Sequence, residues 1–390
     1  MRHIPCSVHV ASFGDAIPVP RRRYTRFWTK VSPHVRRIVW IGLFAATLIG
    51  LGSVAVAVSS LDRQRHRQAL LAKVALGRTV FHDAALSASG ELACATCHRP
   101  DAAFAQPIPV PYLGDGRSGT RNVPSLLDLK YFDRFFWDGR EDRIDRAAVA
   151  AFTNRAEMAQ PDMAAVVAAL RGRPAYGQRF KAAFGDETID QARISQAILA
   201  YLTANASGRS RYDAYAAGAS DALTPTERRG LDLFRGKAEC AACHRIVGSP
   251  ARFTDNRFHH SNVGMERMSG NVKIAIEALQ RQRQQGIPLA ELVLSKPDIA
   301  ALGRFAIDGR GEHLAAYRTP TLRNVSRTAP YMHDGSVPTL DAAIQREIYY
   351  RSLSRGTPIT LTTDEQRDLR AFLFALEDTE ESRVQPLVDD

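Results

Sequence analysis

Two short words carry the strongest chemistry in this sequence: Cys94-Ala95-Thr96-Cys97-His98 and Cys240-Ala241-Ala242-Cys243-His244. Two thiols three residues apart, followed at once by an imidazole, match one edge of a haem. The thiols form thioethers with its two vinyl groups, and the histidine ligates the iron. Four cysteines and two histidines can also build a zinc site, and a CxxC pair can serve as a redox dithiol. Both alternatives leave the adjacent histidine unexplained in both words. The sequence therefore predicts two covalently bound c-type haems, on Cys94/Cys97 and Cys240/Cys243, with His98 and His244 as proximal ligands.

The elements that must hold these words read as mostly helical. Residues 61–78 form an amphipathic pattern with Leu70, Leu71, Val74 and Leu76 on one side. A second helix is expected over about 190–205, through Ile194, Ile198, Tyr201 and Leu202. Thr224-Pro225-Thr226-Glu227 and Thr362-Thr363-Asp364-Glu365 are capping boxes, each opening a helix. The chain also repeats. CATCH, then Arg121-Asn122-Val123-Pro124, then Phe136-Trp137-Asp138-Gly139 is echoed by CAACH, then Arg318-Thr319-Pro320, then Met332-His333-Asp334-Gly335. The expected fold is mainly α, with two cytochrome c-like haem domains packed together, at 59–220 and 221–378, followed by a tail at 379–390.

The formal charge of +11 is concentrated at one end. Residues 1–60 hold eight Arg/Lys against Asp15 alone, leaving 44 basic and 40 acidic residues over 61–390. The near balance of the rest removes any case for nucleic-acid binding. Ile38 to Val58 is an uncharged apolar run that as a helix spans about 31 Å, the thickness of a bilayer core. Basic residues crowd its N-terminal side, so 1–37 is expected to be a cytoplasmic arm and the bulk of the chain periplasmic. The run reads either as a transmembrane anchor or as a signal cleaved near Ala55-Val56-Ala57.

Four longer stretches then bring a family into view: LSASGELACATCHRPDAAFAQ, RNVPSLLDLKYFDRFFWDGR, FTDNRFHHSNVG and RTPTLRNVSRTAPYMHDGSVPTL. In order and content they resemble the bacterial dihaem cytochrome c peroxidases and their relative MauG, over about residues 68–376. Glu347-Ile348-Tyr349-Tyr350-Arg351 is more similar to the MbnH branch. On its residues alone Trp137 reads as a core side chain beside a tight Asp-Gly turn, whereas the resemblance makes it an electron relay between the haems. The resemblance likewise makes Glu157 the distal acid–base at the N-terminal haem. It places a glutamine at position 147, where this chain has Ala147. It assigns calcium contacts to Asn122, Thr328 and Pro330, whose oxygens suit that ion.

Two departures from the family pattern matter. No histidine lies between His98 and Trp137, so the N-terminal haem is expected to be five-coordinate and open to peroxide when oxidised. At the C-terminal haem the family's distal ligand position falls on Glu347, neither Met nor Tyr, with Tyr349 or Tyr350 as alternatives in a shifted register. His82, His259, His260 and His333 read as structural or haem-propionate residues, and Met265 and Met268 as packing residues. The function implied is a peroxide-dependent dihaem oxidase that oxidises aromatic residues of a periplasmic partner protein. The alternatives are a peroxidase fed by a small cytochrome or cupredoxin, and a membrane-tethered dihaem electron carrier without peroxide chemistry.

Overall fold

A computed structural model describes residues 32–264 and 271–379, with side chains left undescribed at 48–59. Met265 and Met268 therefore lie outside the described residues. By backbone packing the chain divides into Met1–His66 and Arg67–Asp390, and both CxxCH words lie in the second unit. Helix α1 covers Pro33–His82. Most of the apolar run at 38–58 falls among the undescribed side chains. Among the described residues no helix is long and apolar enough to cross a membrane.

The second unit is built on helices, as the sequence pattern implied. The first half carries α2 (Met163–Arg171), α3 (Pro174–Phe184) and α4 (Gln191–Ala204). The second half carries α5 (Pro225–Arg235), α6 (Val272–Gln284), α7 (Leu289–Ser295), α8 (Pro297–Ala301), α9 (Leu340–Arg355) and α10 (Thr363–Phe374). One short antiparallel pair, β1 (Phe258–His260) with β2 (Ala316–Arg318), sets Phe258 opposite Arg318 and His260 opposite Ala316. Both capping boxes form. Thr224 and Glu227 exchange reciprocal bonds at the start of α5, and Thr362 and Glu365 do so at α10, satisfying amides that the first helical turn leaves open.

Each half has its own core. The first gathers Leu76, Phe81, Phe104, Phe152, Leu170, Phe180, Ile194 and Tyr201. The second gathers Leu369 with Phe234, Phe253 and Phe372, and the three phenyl rings meet mostly edge to face at 5.2 to 6.2 Å. A third, smaller cluster joins α6, α7 and α8 through Leu279, Leu292 and Ile299.

The duplication extends to how helices cross. A Cβ on Gly77 of α1 would lie 1.9 Å from the carbonyl oxygen of Ala197 in α4. A Cβ on Gly230 of α5 would lie 2.0 Å from the carbonyl oxygen of Asp368 in α10. In both halves the helix that leads toward the cysteine pair touches a later helix backbone to backbone, which only glycine permits. Replacing Gly230 with alanine is expected to destabilise the protein by about 1–3 kcal/mol, the usual penalty for overpacking a close contact. Thermal unfolding of the haem-loaded protein measures this, and an unchanged midpoint would mean that the helices separate without loss.

Candidate active site

Both CxxCH words form short helical turns, Cys94–Cys97 and Cys240–Ala242, each closed by the amide of the following histidine bonding back to the first cysteine's carbonyl. The histidine rings are held alike. His98 Nδ1–H donates to the Phe104 carbonyl at 3.0 Å, and His244 Nδ1–H donates to the Phe253 carbonyl at 3.1 Å. The carbonyls of Pro124 and Pro320, from the repeated Pro words, also face these rings. Burial pushes both imidazoles down to about 4. Neutral rings whose Nδ1 is engaged by a backbone carbonyl are what an iron ligand requires, because the bond fixes tautomer and orientation and leaves Nε2 for metal.

The thiols are free of one another. Burial, with Glu157 nearby, pushes Cys94 up to about 12 and Cys97 up to about 11; burial also pushes Cys240 up to about 12. A redox dithiol needs an accessible thiolate, so that alternative loses ground at Cys94/Cys97; Cys243 differs, since burial is outweighed there by His259 and Arg351, which hold its thiol below the ordinary range. Cys243, Asp255 and His259 bring ligand atoms within 4.8 Å of one another. Cys243 is committed to its CxxCH word, which leaves Asp255 and His259 as a hydrogen-bonded pair at 2.8 Å rather than a metal site.

Around His244 opens a cavity of about 250 Å³, walled by Cys240, Cys243, Phe234, Leu340, Ile344 and Leu373 among others. Glu347, Ile348 and Arg351 of α9 face it. Burial raises the Glu347 carboxyl above its ordinary range, with Arg351 and Arg346 pulling the other way. Arg351 reaches Cys243 Sγ at 2.8 Å. Tyr349 points away and is 58% exposed, and Tyr350 stacks edge-on against it at 5.1 Å. Neither tyrosine lines the cavity. Buried Arg318 also lines it, over the Phe132 ring at 5.1 Å. Its neighbours are carbonyls and an amide, and among the described residues Asp133 is the acid acting on it. Such a cation suits the carboxylates of a haem better than it suits an empty apolar wall.

Trp137 lies in the wall of the same cavity, its Nε1–H donating to the Asn122 carbonyl at 2.8 Å. Two backbone bonds cross between the halves here. The Asn122 amide donates to the His333 carbonyl, and the Arg318 amide donates to the Trp137 carbonyl, both at 2.8 Å. The residue two before each repeated proline thus grips the residue before each repeated Asp-Gly, in the opposite half. His333 stacks flat on Tyr317 at 3.6 Å. His259 and His260 border the cavity, whereas His82 is exposed at the end of α1.

On the N-terminal side Glu157 follows Asn154, whose side chain hydrogen-bonds its carboxyl. Desolvation raises this carboxyl above its ordinary range, opposed by Arg140 and Asn154. Its charge is felt at both Cys94 and Cys97, so it belongs to the first haem site. Ala147 ends the turn Ile144–Ala147 and presents only a methyl group. Asn122, Thr328 and Pro330 all line the same cavity. Asn122 Nδ2 donates to the Pro109 carbonyl at 3.0 Å, which leaves its Oδ1 as an available oxygen.

A family model described as di-haem cytochrome c peroxidase matches residues 71–221. The methylamine utilization protein MauG of Methylophilus methylotrophus is 31% identical over 317 residues, 79% of this chain and 83% of that protein. The chain belongs to the dihaem cytochrome c peroxidase and MauG family. MauG of Methylorubrum extorquens is 33% identical over 311 residues, 78% of each chain. A second model, described as RoxA-like and cytochrome c-like, matches residues 316–349. Among solved structures, a MauG-like protein associated with microbial copper homeostasis aligns with a TM-score of 0.63 at 29% identity, over 82% of this chain and 93% of that one. The dihaem peroxidase BthA from Burkholderia thailandensis aligns at 0.59 with 26% identity, over 78% and 86%.

Membership makes this protein an oxidoreductase that acts with peroxide and carries two c-type haems. The residues present fit that cofactor at both words: paired thiols, a carbonyl-anchored imidazole beside each pair, and an apolar cavity at the second. When bound, each haem supplies an iron that accepts and passes single electrons. The chain supplies covalent attachment, ring orientation, the buried carboxyls of Glu157 and Glu347, and the indole of Trp137. Sequence reasoning missed Arg318 and Arg351 as cavity residues. The first sits in the repeated Pro word and the second one helical turn after Glu347, so repeat and helical period both pointed at them.

Proposed function

We propose that this protein uses hydrogen peroxide at its N-terminal haem to oxidise aromatic side chains of a periplasmic partner protein. The observation that carries the reading is Glu157, a desolvated carboxyl at the Cys94/Cys97 centre, on a chain with no histidine between His98 and Trp137 to close that iron. With a haem bound at Cys94/Cys97, Glu157 would take a proton from peroxide and return it to the oxygen that departs as water, while the haem would supply the two electrons that break the O–O bond. Trp137, in the wall of the C-terminal cavity, passes the oxidising equivalents between halves. Glu347 in that wall would be placed to offer a carboxyl oxygen to a haem bound at Cys240/Cys243, in the position where the family carries Met or Tyr. Asn122, Thr328 and Pro330 hold a calcium ion through hard oxygens. Residues 38–58 deliver the chain to the membrane and leave both haem domains in the periplasm.

The ferric protein is expected to show one high-spin and one low-spin haem in its EPR spectrum. Two low-spin haems would end the peroxide reading and leave an electron carrier. Partner oxidation is separated from simple peroxide removal by mass spectrometry of a co-exported partner after peroxide treatment. Loss of hydrogen or gain of oxygen on a Trp or Tyr supports the proposal, and peroxide consumption that requires only a reduced cytochrome or cupredoxin opposes it.

A further inference from the structure

Beside the first haem site lies an aromatic cluster that none of the chemistry above uses. The Phe104 carbonyl accepts the proximal histidine's Nδ1–H at 3.0 Å. The Phe104 ring meets Tyr201 of α4 at 5.9 Å between centroids, and Phe81 packs on both at 5.8 and 5.4 Å. Tyr201 is 6% exposed. Its hydroxyl oxygen lies 3.5 Å from His82 Nε2, and His82 itself stands at the surface. From the Phe104 backbone that holds His98, the Phe104 and Tyr201 rings lead toward solvent, ending in a phenol beside an imidazole.

We propose that Tyr201 and His82 form a one-electron outlet for the N-terminal haem on its proximal side. A buried phenol gives up an electron at an accessible potential only if its proton leaves at the same time, and a buried phenol needs a base in contact to take it. His82 is that base. Burial and the nearby Arg78 charge hold its imidazole below its ordinary pKa and so neutral, while burial keeps Tyr201 protonated until it is oxidised. The step balances. The Tyr201 O–H bond breaks, its electron passes through Phe104 and His98 to the oxidised haem, and its proton moves to His82 Nε2. The products are a neutral tyrosyl radical and an imidazolium. An electron from a small ene-diol or phenol reductant in the surrounding water, with the proton returned by His82, restores the pair. Two such cycles discharge the two equivalents left by one peroxide when no partner protein is bound, sparing the porphyrin from self-oxidation.

The inference rests on the peroxide reaction at the N-terminal haem, and the test separates the two. The haem-loaded protein is mixed with hydrogen peroxide alone, frozen within milliseconds to seconds, and examined by EPR. A tyrosyl signal is expected in the wild type. Tyr201→Phe, which keeps the ring contacts, is expected to abolish it and, in a parallel titration with ascorbate present as the reductant, to bleach its haem after several-fold fewer peroxide additions. His82→Gln, altered only at the surface, is expected to lower the signal several-fold. Haem content and the Soret band confirm that each variant is folded. An undiminished tyrosyl signal in Tyr201→Phe, or in His82→Gln should the first variant not fold, overturns the outlet while leaving the peroxide reading intact. Absence of any tyrosyl signal in a wild type that consumes peroxide does the same. A wild type that does not consume peroxide removes both.

Discussion

The Glu157→Gln protein is expected to react with hydrogen peroxide roughly 10²–10⁴-fold more slowly than the wild type while keeping both haems, the range for loss of a positioned acid–base. Glutamine preserves shape and the Asn154 contact but can neither take nor return a proton. The environment of Glu157 sharpens the expectation. Desolvation raises its carboxyl while Arg140 and Asn154 oppose, so it stays protonated to a higher pH than a surface glutamate. The form that accepts the peroxide proton is the carboxylate. The rate should therefore climb as pH rises through this elevated pKa, and that limb should vanish in the variant. Stopped-flow traces of peroxide consumption across pH give both numbers, and a wild-type rate in Glu157→Gln would remove the residue from the mechanism.

What could be read from the sequence divides along a physical line. The haem words were legible because covalent attachment at two vinyl groups dictates spacing and residue type, and nothing in tertiary packing alters that requirement. The capping boxes at Thr224 and Thr362 were legible because an N-cap bond spans three residues and is decided locally. Helix α4 appeared where its apolar period placed it, with Asp190 capping it. The choice among Glu347, Tyr349 and Tyr350 was not legible, since it depends on which face of α9 meets the cavity. The pattern LDAAIQREIYYRSLSR is only weakly amphipathic, and burial rather than periodicity turns Glu347 inward and leaves Tyr349 in water. The crossed bonds Asn122–His333 and Arg318–Trp137 join positions roughly 180 to 210 residues apart. The sequence offered only the repeat as a hint of them. The cluster of α6, α7 and α8 carried no chemistry-bearing residue and went unremarked, yet it anchors the relay region: Arg121, one residue before Asn122, donates to the Ala300 carbonyl in α8 at 2.7 Å.

That anchoring gives the second large effect its shape. Replacing Trp137 with phenylalanine is expected to slow electron exchange between the haems by at least about tenfold, equivalent to about 1.4 kcal/mol of barrier, while peroxide still reacts at the N-terminal side. An indole is the more easily oxidised ring, so phenylalanine turns two short electron transfers into one long one. It also deletes the Nε1 donor to the Asn122 carbonyl, but the backbone around position 137 is held independently. The Trp137 carbonyl accepts from Arg318, and Asp138 is fully buried with Arg140 bound to it at 3.0 Å. The relay can therefore be removed without collapsing the junction, and the two consequences are separable. Loss of relay alone predicts unchanged haem spectra and an unchanged initial peroxide rate, with oxidising equivalents confined to the N-terminal half. Collapse of the junction predicts altered spectra at both centres. Transient absorption after peroxide mixing tells them apart, because the C-terminal haem either changes together with its partner or lags behind it. Synchronous change in Trp137→Phe would mean that electrons cross by another route, with the stacked Tyr317–His333 pair at the same junction as the next side chains to replace.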